Sequence, residues 1–161
     1  MVHLGSTRVV VLAWMAAGFW VPGCTPGRFR ETVDDPSADF TEKTGLPWPS
    51  SGNLIKADDT HGGFHGDGDF YLVFSVDKET FSRWKSQKPP WGASRWERGP
   101  VPSEIASRCM FGDAKGWCAP ASTDLFYVAR ARGPESMRWH NGDLLVLDPE
   151  GRVVWLYVWD F

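Results

Sequence analysis

The segment of this sequence best furnished for chemistry is Asp58-Asp59-Thr60-His61-Gly62-Gly63-Phe64-His65-Gly66-Asp67-Gly68-Asp69. Its twelve residues hold two histidines and four aspartates, interleaved with four glycines. Glycine lets a backbone turn back on itself, so such side chains can converge. Imidazole nitrogen and carboxylate oxygen are ligands for zinc and other divalent metals. If a metal binds here, His61, His65 and Asp67 are the expected ligands. An oxygen-rich turn also suits calcium, although the spacing is not that of an EF-hand. His61 and His65 stand four apart, but Gly62, Gly63 and Gly66 oppose the helix that a zincin motif requires. The plainer alternative is a hairpin connection whose aspartates hydrogen-bond their own backbone.

A second constellation, Arg138-Trp139-His140-Asn141-Gly142-Asp143, precedes the last apolar segments. Arg138, His140 and Asp143 could orient one another there, with the arginine suited to an anionic ligand. Asn141-Gly142 also reads as an ordinary turn. If both loops lie at one end of a sheet, His61, His65 and His140 would meet, and a histidine beside a carboxylate is a general acid–base candidate. Trp91, Trp96 and Trp139, in loops, are candidate binding aromatics for a glycan or a protein partner. No nucleophile accompanies these groups. The sequence has no Gly-x-Ser-x-Gly elbow and no phosphate-binding glycine loop.

The elements that must position these residues read as follows. Asn53–Ala57 is a short strand. In Phe70–Val76, alternate residues Phe70, Leu72, Phe74 and Val76 share one face, which predicts a strong strand. Asp77 caps a helix that carries Phe81 and Trp84 on one side and ends at Pro89-Pro90. A helical turn is expected over Ser103–Cys109 and a strand over Leu125–Ala131. Leu144–Asp148 and Val153–Trp159 flank Pro149-Glu150-Gly151 as a hairpin. The second of these strands is apolar on both faces, which places it centrally. Together they predict an α+β fold: an antiparallel sheet of about five strands with one main helix packed on it.

The 161 residues suit one domain. Its N-terminal stretch reads as an address. Arg8 precedes a 13-residue apolar run from Val9 to Val21, which as a helix would cover roughly 20 Å, short of a ~30 Å hydrocarbon core. The run ends at Val21-Pro22-Gly23-Cys24, which resembles the lipobox of bacterial lipoproteins. Val21, Gly23 and Cys24 match that pattern; Pro22 stands where a small non-proline residue is usual. The resemblance implies a signal peptide over 1–23, diacylglycerol on Cys24, and a domain exported and lipid-anchored to the bacterial cell envelope. Residues 24–45 are polar, lack apolar periodicity and read as a flexible tether, with one globular domain over 46–161. Export allows Cys109 and Cys118 to form a disulfide.

Beyond the leader the chain carries 16 basic and 20 acidic side chains, a net charge of −4 with mixed signs, which disfavours nucleic acid as a partner. The expected partners are the membrane, through the lipid, and an envelope protein or glycan. The function expected is that of a non-enzymatic binding module, with no cofactor beyond a possible divalent metal. One alternative is a small metal-dependent hydrolase using the His61/His65 loop and His140. Another is an envelope assembly factor that offers a sheet edge to a partner strand.

Overall fold

A computed structural model describes residues 33–61, 67–109, 118–135 and 138–160. The cysteine at position 24, with the leader, lies outside them, as do His65 and Trp117.

Six antiparallel strands form one sheet in the order β1-β2-β6-β5-β4-β3. They are β1 (Asn53–Asp59), β2 (Gly68–Ser75), β3 (Glu97–Arg98), β4 (Phe126–Ala131), β5 (Gly142–Asp148) and β6 (Val153–Asp160). Five of them answer to the expected strands. The sixth, β3, is a two-residue edge that pairs Glu97 with Tyr127 and Arg98 with Phe126, too short to leave a period-two signature. At the opposite edge, β1 carries a bulge between Leu54 and Lys56. A bulged edge and a very short one both discourage the addition of a further strand.

The β6 strand lies inside, between β2 and β5, as its two apolar faces require. Val154, Leu156 and Val158 join Phe70, Leu72, Phe74, Leu145 and Leu147 in one core layer, on what is here termed face 1. Tyr157 and Trp159 join Tyr71, Val73, Leu144, Val146 and Trp139 in the other, on face 2. Trp159 reaches so far across β5 that a Cβ on Gly142 would lie 2.4 Å from its ring. Face 2 is covered by the short helix α3 (Ser103–Ala106), the 3₁₀ turn Ser107–Cys109 and the Cys109–Cys118 disulfide.

Face 1 is covered by two helices, α1 (Pro36–Thr44) and α2 (Lys78–Ser86). The second is the helix expected, capped by Asp77 Oδ1, which accepts from Thr80 N–H at 2.7 Å. The first corrects the reading of 24–45 as a tether, because its second half belongs to the domain. Asp35 caps α1, its Oδ1 accepting from the N–H groups of Ser37 and Ala38, each at 3.1 Å. Pro36 supplies the first-turn geometry and Gly45, at φ +73°, the left-handed end. Phe40 is the helix's one large apolar residue and is fully buried. Its ring stacks on Trp84 at 5.6 Å and meets Phe74 and Trp48 edge-on. A single aromatic in nine residues gives no periodicity to read, yet it anchors the helix. Phe40→Ala therefore should destabilise the protein by about 3–5 kcal/mol in denaturant titration; a change below about 1 kcal/mol would mean that α1 is only loosely attached.

Candidate functional site

The charged residues of interest stand where face 1 runs out at one end of the sheet. Asp59 pairs with Phe70, Phe70 with Val158, Val158 with Asp143, and Asp143 with Arg130. One rung across five strands therefore has an apolar middle and charged flanks. Two residues further along the same face come His61, Asp160 and Arg132. Side chains alternate along a strand, so each of these charges is in phase with its strand's buried face: Asp160 with Val158, Asp143 with Leu145, Arg130 with Val128, and Asp59 with Ala57. Together with Glu42 and Lys43 of α1 they line a cleft of about 320 Å³.

Within the cleft, acids and bases alternate. His61 Nδ1 lies 2.6 Å from Asp59 Oδ1, which also accepts the His61 backbone N–H at 2.9 Å. His61 Nε2 lies 3.3 Å from Asp160 Oδ2. Arg132 Nη2 reaches Asp160 Oδ1 at 2.9 Å and the Trp159 carbonyl at 3.0 Å. Its Nε lies 3.3 Å from Asp143 Oδ1, while Arg130 Nε and Nη2 both meet Asp143 Oδ2, at 2.7 and 2.6 Å. This chain of ion pairs crosses from β1 to β4. It is held down by Gly68, where a Cβ would lie 2.6 Å from the His61 backbone. Trp91 fixes the roof, its indole N–H donating to the Lys43 carbonyl at 2.8 Å while Arg130 lies over its ring at 5.2 Å.

Protonation follows from these neighbours. The hydrogen bond to Asp59 raises the His61 pKa above its ordinary value against the opposing effect of burial, and the charges of Asp59 and Asp160 add to the rise. With a carboxylate hydrogen-bonded at Nδ1 and a second near Nε2, the ring's surroundings favour the cation. Burial pushes the Asp59 carboxyl up, but the bonds from the His61 ring and backbone outweigh it and hold the pKa below the usual value. Asp143 differs. Its side chain is only 3% exposed, and burial raises its pKa despite the two guanidinium groups beside it. A buried carboxylate of this kind is tolerated only while paired.

The structure separates residues that the sequence put together. Asp69 points to face 2, where its Oδ1 lies 2.9 Å from the Tyr157 hydroxyl. That hydroxyl also lies 2.5 Å from the Arg108 carbonyl, and burial followed by the Asp69 charge pushes the pKa of Tyr157 far up. Asp67 is exposed. His65 lies outside the described residues, so the His61, His65, Asp67 metal set is seen only in part. Among the described residues, no three potential ligand side chains gather as a metal site. The expected Arg138–His140–Asp143 group does not form, because Asp143 is committed to Arg130 and Arg132. Arg138 instead lies 3.8 Å from Glu135 and covers the Trp139 ring at 5.5 Å. His140 is not among the residues lining the cleft.

The loop tryptophans are largely spent on packing. Trp139 is a core residue rather than a binding aromatic; it is buried at φ +64°, and its carbonyl accepts from Trp159 Nε1 at 3.1 Å. Trp96 donates its indole N–H to the carbonyls of Trp84 and Gln87. Sequence reasoning missed Glu42, Lys43, Arg130, Arg132 and Asp160. For the last three, the available signal was a charge in phase with a buried face at the strand end. No protein-family model matches the chain, and neither curated proteins nor solved structures give a significant match.

The raised His61 pKa fixes a sign. Its contribution to stability is complete below the unfolded value, about 6.5, and is lost as pH rises through the higher folded value. Melting temperature should therefore fall as pH rises above about 6.5, and His61→Gln should flatten that slope. Equal slopes in wild type and variant would show that the clasp contributes nothing.

Proposed function

We propose that this protein is an exported, lipid-anchored envelope module without catalytic activity, and that it binds a charged ligand or partner segment in the face 1 cleft. The observation that carries this reading is the uneven pairing within the cleft. Six of its charged side chains satisfy one another, while Glu42 and Lys43 have no ion-pair partner among the described residues. Lys43 Nζ instead rests over the Phe70 ring at 4.5 Å. An opposed acid and base beside an ionic wall suit a partner that bears both charges, such as a peptide segment or a peptide-bearing glycan.

The hydrolase alternative has the Asp59–His61 pair in its favour. However, Asp160 lies against the nitrogen that a general base would turn towards substrate. The bulge in β1 and the brevity of β3 give less support to strand addition as an assembly device.

A photo-crosslinking residue placed at position 43 of the full chain tests the binding reading in intact cells. It should yield a discrete adduct that the same residue at exposed Glu150 does not. Adding Glu42→Lys should reduce the yield several-fold. Identical adduct patterns from positions 43 and 150 would remove the cleft as a binding site.

A further inference from the structure

The overall acidity of the chain hides a basic segment. Residues 80–96 contain no acidic side chain. Over 83–98, Arg83, Lys85, Lys88, Arg95 and Arg98 face Glu97 alone, net +4 in a chain that is net −4 beyond its leader. All five basic residues are exposed. Folding draws them together, because the indole N–H of Trp96 bonds the Trp84 and Gln87 carbonyls at 3.1 and 3.2 Å and so pins the following loop to the end of α2. Lys85 Nζ and the Arg98 guanidinium then share the Phe126 ring, at 4.9 and 5.9 Å. Lys85, Lys88, Arg95 and Trp96 line one shallow groove.

The acids nearby offset part of this charge: Asp124, Asp148 and Glu150 line the adjoining groove with Lys85 and Arg98. Glu97 lies 3.4 Å from Arg95, and Asp124 lies 3.1 Å from Arg98. All four of these side chains are at least half exposed, so the pairs are weak and exchange readily with an external anion. Lys85 and Lys88 have no ion-pair partner among the described residues.

Position within the fold indicates the partner. Val33, where the description begins, packs on the face 1 core, and α2 covers that same face. Val33 stands only nine positions beyond Cys24, a reach of at most about 30 Å. A domain tied to lipid at Cys24 thus has Val33, on the core layer that α2 covers, within that reach of the headgroups. We propose that the Lys85/Lys88/Arg95/Arg98 surface docks the domain on an anionic lipid bilayer. The proposal rests on the lipid-anchored reading and is separable from it by experiment. Each basic residue near an anionic surface strengthens such docking by about fivefold, and salt weakens it.

The test uses protein recovered from its own envelope, mixed with excess vesicles of phosphatidylcholine alone or of phosphatidylcholine with phosphatidylglycerol. Amide exchange is read over 83–98, and the intact mass of the same sample reports on Cys24. Exchange should slow at least about fivefold only with the anionic vesicles. High salt and the double variant Lys85→Glu/Lys88→Glu should each abolish the slowing, with β6 exchange unchanged to show that the variant is folded. Equal exchange in both vesicles, or slowing that survives the double variant, would overturn the proposal. So would slowing by a soluble polyanion such as heparin but not by anionic vesicles. An unmodified Cys24 together with slowing on anionic vesicles would remove the anchor and leave the docking surface standing.

Discussion

A strand that is apolar on both sides has to be covered on both sides, and β6 imposes that condition on everything around it. Val154, Leu156 and Val158 demand one layer; Tyr157 and Trp159 demand another. The chain meets the first demand with α1, α2 and the Trp48, Trp91 and Trp96 loops. It meets the second with α3 and the Cys109–Cys118 disulfide. Burial of this apolar area is the dominant favourable term in folding. It fixes the sheet order and, with the order, the neighbours of every charge at the sheet's end.

The cleft is a consequence of where that burial stops. The in-phase positions on β1, β4, β5 and β6 pass beyond the cover of α1 and change from aliphatic to charged without changing face. Opposite charges then lie on adjacent strands, and the antiparallel register sets their spacing. Asp143 is the costly member, since its carboxylate is almost without water and relies on Arg130 and Arg132. Asp59, Arg130, Asp143 and Asp160 of this wall sit on strands, and His61 and Arg132 lie just beyond the ends of β1 and β4. Lys43 and Glu42 approach it from the helix above.

Much of the fold was legible because it is periodic. The five longer strands, the Asp77-capped helix and the central place of β6 each leave a pattern of type and spacing. By contrast, α1 leaves almost none: Phe40 is its one large apolar residue, and the other buried position, Thr44, is polar. The site was legible by half. His61 and Asp143 drew attention as reactive types, and proximity in sequence grouped His61 with its partner Asp59, but it missed Asp160, Arg130 and Arg132. Asp69 follows His61 closely in the chain yet faces the opposite side of the sheet, while Asp160 is 99 positions away and touches its ring. Phase along a strand, rather than distance along the chain, decided which charges met. The basic surface of 83–98 escaped notice because it was averaged into a net acidic total.

The account turns on the imidazole held between Asp59 and Asp160. Nitrogen chemical shifts of the His61 ring, followed by NMR against pH in the intact protein, examine it directly. The transition should lie above that of an ordinary histidine, about 6.5, and should fall back towards it in Asp59→Asn. A ring that titrates at or below about 6.5, as in a model peptide, would contradict the ionic wall and the preformed cleft built upon it.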